Sequence, residues 1–135
     1  MELWVFIGSV VVASLSYLLK NFTLDPLISY KKVVGRIRNR TIFYANIYGS
    51  KINERHDAAH SELRQLSCDL DEAYYAIGLR CMLVLLRAVP NPKRISSATH
   101  ALIGLSNNTH NKNLNHDEVE KLKNKLYDAL NIVNE

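Results

Sequence analysis

The sequence predicts an all-α protein in which one N-terminal transmembrane helix is followed by a small cytoplasmic bundle of about four helices. Three observations predict it: an uncharged apolar run near the N-terminus, apolar residues that recur every three or four positions afterwards, and no segment with strand-like alternation. The 135 residues, 47% hydrophobic and 22% charged, suffice for one small domain with a core. This composition excludes a disordered chain, and 2 Cys exclude a disulfide scaffold.

The predicted membrane anchor occupies residues 1–24. Residues 3–19 contain no charged side chain, and a membrane-spanning helix needs about 20 apolar residues, with a range of about 17–25. Phe22 lengthens the run if the Lys20 side chain extends to the interface. A cleaved signal peptide would carry a positive N-terminal region where Glu2 stands, and a core helix would show a polar stripe. We therefore expect an anchor that is not cleaved.

The charge distribution predicts the orientation of this anchor. Residues 20–40 contain six basic residues and one acid, whereas residues 41–135 contain 11 of each sign and sum to zero. Because positive flanks stay in the cytoplasm, we expect the N-terminus outside and residues 25–135 as a cytoplasmic domain that begins with a basic juxtamembrane helix. Anionic lipid headgroups are the expected contact of Lys20, Lys31, Lys32, Arg36, Arg38 and Arg40. Nucleic acid is not an expected partner, because the rest of the domain is neutral.

The first helix of the cytoplasmic domain is expected to begin at Asp25. An acidic N-cap followed by proline at the first helical position, here Pro26, is a common helix start. Apolar residues then alternate at spacings of three and four, which places them on one face of the helix. This face consists of Leu27, Tyr30, Val34, Ile37, Thr41, Tyr44 and Tyr48.

A second helical segment is predicted over residues 54–89. Its apolar stripe consists of Ala59, Leu63, Leu66, Leu70, Ala73 and Ile77. Residues 81–86 are apolar on every side, and six residues are too few to cross a membrane, so we expect a helix end that is buried all round. Gly78 leaves open whether the helix is continuous, kinked or split. Cys68 and Cys81 lack a redox or metal spacing and are expected to be buried, reduced thiols.

Two further helices complete the predicted bundle. Asn91, which lies between two prolines, is a typical N-cap for a third helix with the stripe Ile95, Ala98, Leu102 and Leu105. The asparagine-rich residues 106–116 are expected to form an exposed loop. Asn115 or Asp117 would cap the last helix. Its stripe is Val119, Leu122, Leu126, Ala129 and Val133. Four such helices pack as an antiparallel bundle, and their near-heptad spacing also suits self-association.

The sequence contains few signs of catalysis, and we expect no enzymatic activity, no catalytic residue and no cofactor. Phosphate-binding and nucleophile-elbow motifs are absent from it. His56 and His60 have the i, i+4 spacing of metal ligands, but Asp57 stands where a zinc protease needs Glu. A third ligand would come from Glu62, His100, His110 or His116. The simpler interpretation is two solvated histidines at the start of an exposed helix.

A second group of residues suits an anionic ligand. Basic side chains flank the predicted buried end of the second helix, and they would bind an anion if the fold brought them to one side. The group consists of Arg80, Arg87, Lys93 and Arg94.

The sequence leaves three functional hypotheses. The first is a single-pass, membrane-anchored helical module that binds a protein partner or itself at the cytoplasmic face of the membrane. The second is a small membrane effector or sensor whose oligomerisation perturbs the membrane. The third is a metal-dependent hydrolase that uses His56 and His60.

Overall fold

The computed structural model describes residues 2–48, 54–111 and 116–132, which are helical and contain no strand. Its elements in chain order are α1 (Glu2–Leu19), a π-helical turn (Lys20–Leu24), α2 (Asp25–Phe43), α3 (Glu54–Tyr75), α4 (Arg80–Leu85), α5 (Pro92–Asn108) and α6 (His116–Leu130). The predicted all-α class is confirmed, with a long apolar N-terminal helix followed by a helical bundle.

The first two helices and the π-turn between them form one helix that is continuous from Leu3 to Phe43. Helix α2 begins at Asp25 as predicted, but it continues the preceding helix, and the prediction of Asp25 as an N-cap is wrong. Leu24 takes the N-cap position of α2 with a helical backbone and without a side-chain cap. The predicted end of the anchor at residue 24 thus falls inside a helix, and the apolar and basic segments share one axis.

Proline explains why this helix contains a π-turn. In an α-helix the Phe22 carbonyl would accept a hydrogen bond from the backbone nitrogen four residues later, but that residue is Pro26, which has no N–H. The helix widens by one residue there, and the Asp25 N–H donates to the Lys20 carbonyl, five residues back. A single wide turn of this kind keeps the helix unbroken across a proline.

The bundle is formed by α2, α3, α5 and α6, each antiparallel to the next along the chain. Ion pairs from Arg40 to Glu62 and from Arg36 to Asp69 set the register of α2 against α3. Further along, the Ser106 hydroxyl donates to the His60 carbonyl at 2.9 Å and joins α5 to α3. The start of α5 meets the end of α6 through Arg94, which donates to the Asn131 side chain at 2.6 Å.

The core of the bundle lies where the predicted stripes face one another. The largest fully buried aliphatic side chains are Ile37, Leu63, Leu70, Ile95, Leu102, Leu105 and Leu126. Leu27, Val34, Tyr48, Ala73 and Leu122 are partly buried against them. The predicted cap of α5 is confirmed, since the Asn91 side chain accepts from the Arg94 N–H at 2.9 Å. Two predictions, Asn115 as a cap and Val133 as a stripe residue, lie outside the described residues.

The predicted second helix is split, and its apolar end is not buried. Helix α3 ends at Tyr75, the chain passes through Leu79 in the left-handed region (φ 49°), and α4 follows as a separate helix of 6 residues. Met82, Leu85 and Leu86 are exposed, so the expectation of a helix end buried on every side is wrong. An apolar run does not show by its sequence what covers it, so residues 81–86 could not be distinguished from a segment of the core.

Two smaller predictions are also wrong. Cys68 and Cys81 are both exposed rather than buried, because neither lies on the side of its helix that faces the core. The predicted loop over 106–116 begins later, since α5 continues to Asn108. Ser106 is fully buried there, and its hydroxyl donates to the His60 carbonyl of α3.

Candidate functional site

The most distinctive surface of the molecule is the N-terminal helix, which no other described part of the protein covers. None of its apolar window is buried, and Trp4 is 78% exposed. Among the described residues it is the one helix long and apolar enough to cross a membrane. At 1.5 Å per residue, residues 3–24 extend about 33 Å, which matches a hydrocarbon core of about 30 Å.

The bundle meets this helix at a backbone contact, which we call the junction and define as Phe22, Thr23 and Gly78. The Gly78 N–H donates to the Phe22 carbonyl at 2.6 Å, which supplies the hydrogen bond that Pro26 cannot give. Thr23 is the buried side chain of the π-turn. A Cβ on Gly78 would lie 2.4 Å from the Phe22 oxygen, so glycine is required there by the close approach.

The register of α2 and α3 determines which part of the bundle lies beside the apolar helix. Three contacts show that α2 and α3 are antiparallel. They are Arg40 with Glu62, Arg36 with Asp69, and the ring contact of Tyr30 with Tyr74. Along this series the contacts approach α1 on one helix and the end of α3 on the other. The junction continues this series. The connection from α3 to α4 is therefore at the end of the bundle nearest α1.

The six basic residues predicted to contact lipid divide into two groups. Lys20, Lys31 and Lys32 are exposed, and none of the described residues forms an ion pair with them. In contrast, Arg36 lies 3.2 Å from Asp69 and Arg40 lies 2.6 Å from Glu62. These two arginines hold α2 against α3.

The sixth basic residue, Arg38, lies near a tyrosine, and a second tyrosine shares the partner of Arg40. Arg38 acts on the Tyr127 hydroxyl, whose pKa is raised by burial and partly lowered by the arginine charge. Tyr44 donates from its hydroxyl to Glu62 at 2.5 Å. Burial, followed by this hydrogen bond, raises the pKa of Tyr44. Both carboxylate oxygens of Glu62 are therefore engaged, one by the Arg40 guanidinium and the other by the Tyr44 hydroxyl, and neither is available to a metal ion.

The two candidate metal ligands lie close to a third histidine. The His110 ring centroid is 5.3 Å from that of His60 and 6.5 Å from that of His56, and His110 Nε2 lies 3.4 Å from Asp57. Within residues 2–48, 54–111 and 116–132, no group of three or more such side chains is placed to hold a metal ion. His56 is only 1% exposed, so the simpler expectation of two solvated histidines is wrong for this residue.

The other proposed ligands of this metal site lie elsewhere. His100, on α5, contacts the Ser96 carbonyl one turn earlier at 2.7 Å. His116 lines a cleft between α2 and α6. The sequence names His110 as one of four candidates, and the antiparallel packing of α5 on α3 determines that His110 is the one beside His60.

The four basic residues predicted to bind an anion are not brought into one site. Arg80 lies over the ring of Tyr75, with 4.7 Å from its Cζ to the ring centroid. Arg87 and Arg94 line one small cavity, whereas Lys93 and Arg94 line a separate shallow groove of about 590 Å³ between α5 and α6. Two lysines on α6 that the prediction missed also line this groove, Lys121 and Lys125. Their i, i+4 spacing is the sequence signal that could have identified them.

The cleft between α2 and α6 lies at the other end of the bundle from the junction. It has a volume of about 440 Å³ and is lined by Thr41, Tyr48, Leu105, Val119, Glu120 and Lys123, among others. Burial raises the pKa of Tyr48 to about 12. The lining of the cleft combines apolar residues such as Leu105 and Val119 with the charged residues Glu120 and Lys123.

Comparison with known proteins gives no match for this chain: no protein-family model matches it, and neither does any curated protein or solved structure.

Proposed function

We propose that this protein is a single-pass, membrane-anchored helical module that binds a protein partner, or a second copy of itself, at the cytoplasmic face of the membrane. The observation that carries the proposal is the complete exposure of the apolar helix α1, described above. A continuous exposed apolar surface of this size is typical of a site that contacts a membrane or another protein. A helix also satisfies its own backbone hydrogen bonds, as a segment in lipid must.

The distribution of charges along the continuous helix supports the same arrangement. Its exposed large apolar side chains continue past α1 as far as Ile28, and Lys31 and Lys32 follow within about one turn. Positively charged flanks favour the cytoplasmic side. Lys20 lies within the apolar stretch and extends its amine towards the headgroups. The proposal therefore assigns lipid contact to these three lysines and a structural role to Arg36 and Arg40.

A partner surface on the bundle is best supported at the cleft between α2 and α6. It faces away from the junction, and so remains accessible when α1 is in a bilayer. The exposed residue Glu120 lines the cleft, whereas Glu118, two residues earlier on α6, is exposed but does not line it. These two glutamates provide a matched pair of substitutions.

The first experiment tests anchoring. Val12→Asp places a charge near the centre of the apolar helix, at a cost of about 2.5–3.5 kcal/mol. We expect this variant to move from the alkali-resistant membrane fraction to the soluble or aggregated fraction, while Val12→Leu stays in the membrane. Equal retention of both variants would contradict the proposal.

The second experiment tests interaction. The full-length protein is crosslinked mildly in its own membranes, solubilised and separated by mass. We expect a stoichiometric partner or a homo-oligomer that Glu120→Lys loses and Glu118→Lys keeps. A homo-oligomer accompanied by loss of membrane potential would favour the membrane effector instead. A monomer without any bound protein would overturn the interaction module.

A further inference from the structure

Helix α4 carries an apolar face that the rest of the described chain leaves uncovered. Leu79, Met82, Leu85 and Leu86 follow one another at i, i+3, i+6 and i+7, which places them on one side of the helix. All four are exposed, and Leu85, at 82%, is the most exposed large apolar side chain in the described residues. We call this set the α4 stripe.

The other side of the segment contacts the core, and both of its ends are attached to the bundle. Leu83 and Val84, on the other side of α4, pack against the core. The segment is fixed at one end by the junction, and at the other end Val89 is buried and the Tyr74 hydroxyl donates to the Pro90 carbonyl at 2.9 Å. Because both ends are fixed, the stripe cannot turn inward to join the core.

The position of the stripe relates it to the membrane anchor. The junction joins Gly78, immediately before the stripe, to Phe22. Phe22 belongs to a stretch of the long helix whose apolar side chains, including Leu19 and Leu24, are exposed in the same way. The stripe therefore begins beside Phe22, close to the predicted cytoplasmic end of the anchor at residue 24.

The charges nearest the stripe along the chain are basic, as suits an anionic membrane surface. No acid occurs between Glu72 and Asp117, Arg80 lies between Leu79 and Met82, and Arg87 follows Leu86. Asp25 and Glu72 line a pocket that no stripe residue lines. Beside the stripe lies Tyr75, an exposed aromatic residue that carries Arg80 over its ring. Arginine and tyrosine are typical of the headgroup region, where an apolar body and a polar tip are both solvated.

We propose that the α4 stripe inserts into the cytoplasmic interface of the same bilayer that α1 spans, so that the bundle rests on the membrane through a second contact. The proposal depends on the anchoring proposed above. Interfacial helices bury their apolar side about 5–10 Å into the boundary of headgroups and acyl chains. The 6 residues of α4 extend about 9 Å, which suits a shallow contact and excludes a second crossing.

The test measures membrane depth with single thiols in the full chain. The cysteine-free background carries Cys68→Ser and Cys81→Ser, and a fluorescent probe is attached after Leu85→Cys or Val12→Cys is added. Native Cys68 in a Cys81→Ser chain is the matched water-facing control. Each protein is reconstituted in vesicles of equimolar phosphatidylcholine and phosphatidylglycerol, with a nitroxide quencher at a shallow or a deep position of the acyl chain.

We expect the shallow nitroxide to quench the Leu85 probe at least about twofold more strongly than the Cys68 probe, because an interfacial side chain lies within the shallow layer. The deep nitroxide should quench the Val12 probe most strongly. Quenching at position 85 no greater than at Cys68, with position 12 still quenched, would overturn the α4 proposal and leave the anchor intact. In a parallel sample, the unlabelled Leu85→Cys protein is treated with an added thiol oxidant. A disulfide-linked dimer there, without lipid quenching of the labelled protein, would assign the stripe to a second copy and also overturn the proposal. Absence of quenching at position 12 would overturn the anchor and this proposal together.

Discussion

The two halves of the helix from Leu3 to Phe43 share one backbone and face different surroundings. The first half, α1, buries no side chain, is apolar on every side and contains no charge from Leu3 to Leu19. The second half, α2, buries a stripe that includes Tyr30 and Ile37 and carries charges on its other faces. The helical backbone is the same in both halves. The distribution of apolar side chains around the axis determines which faces of each half can pack against the bundle.

The junction shows how the two halves remain one helix. Pro26 would break an α-helix in water by leaving a carbonyl without a donor. In this protein the π-turn and the Gly78 N–H together accommodate it, and the bundle is attached to the apolar helix at the same atoms. This attachment fixes the orientation of the bundle relative to the apolar helix, which a flexible linker would not do.

The largest expected difference between the two halves is the effect of losing a leucine. Leu70→Ala removes a fully buried side chain from the bundle and should cost about 2–5 kcal/mol of unfolding free energy. Leu15→Ala, in the exposed helix, should change it by less than about 0.5 kcal/mol. Denaturant unfolding of the full-length protein in detergent micelles measures both. Similar losses would mean that α1 packs within the protein.

The junction should respond to a single methyl group. Gly78→Ala places a Cβ against the Phe22 oxygen, and the lost hydrogen bond should destabilise the bundle by about 1–3 kcal/mol. Gly35→Ala is the matched control, because nothing lies within 4 Å of its Cβ and alanine favours a helix by about 1 kcal/mol. We expect opposite signs from the two substitutions in the same unfolding experiment. A loss of stability in both would contradict the proposed role of Gly78.

Tyrosine burial in the bundle predicts a weakening at alkaline pH. The pKa of Tyr48 is raised from 10.0 to about 12 by burial, so the folded protein keeps the proton to higher pH than the unfolded chain. Its contribution to stability is complete below about pH 10 and is lost as the pH rises from about 10 to about 12. Tyr48→Phe should reduce this loss in unfolding midpoints measured from about pH 8 to about pH 11. Tyr75→Phe, at an exposed position, is the control. If the pH dependence of stability were unchanged in Tyr48→Phe, ionisation of Tyr48 would not be a cause of the loss of stability at alkaline pH.

The smallest expected effects separate the arginines of α2 from its lysines. Arg40→Gln removes a partly exposed ion pair with Glu62 and should cost about 0.2–1 kcal/mol of stability. Lys31→Gln should leave stability unchanged and weaken the attraction of anionic headgroups by about 1 kcal/mol, which is about fivefold. Unfolding of both full-length variants is measured in micelles, and the attraction is measured as the ratio of phosphatidylglycerol to phosphatidylcholine bound after reconstitution in an equimolar mixture. A weaker lipid attraction in Arg40→Gln as well would contradict the division into structural arginines and lipid-contacting lysines.

The sequence by itself determined the features that depend on local periodicity and composition. The long apolar N-terminal helix follows from an uncharged run. The core positions Ile37, Leu63, Ile95 and Leu126 follow from spacings of three and four, and the Asn91 cap follows from its own side chain. Each of these signals lies within a few residues, where helix geometry is the same in every protein.

Only the tertiary structure decided which surfaces meet. An apolar run such as residues 81–86 reads the same whether it faces a core, a lipid or a second chain, so its exposure became visible only when the bundle was assembled. His110 approaches His60 and Gly78 approaches Phe22 across many residues of sequence. Contacts of this kind depend on how antiparallel helices align, and periodicity along one helix carries no information about the register of its neighbour.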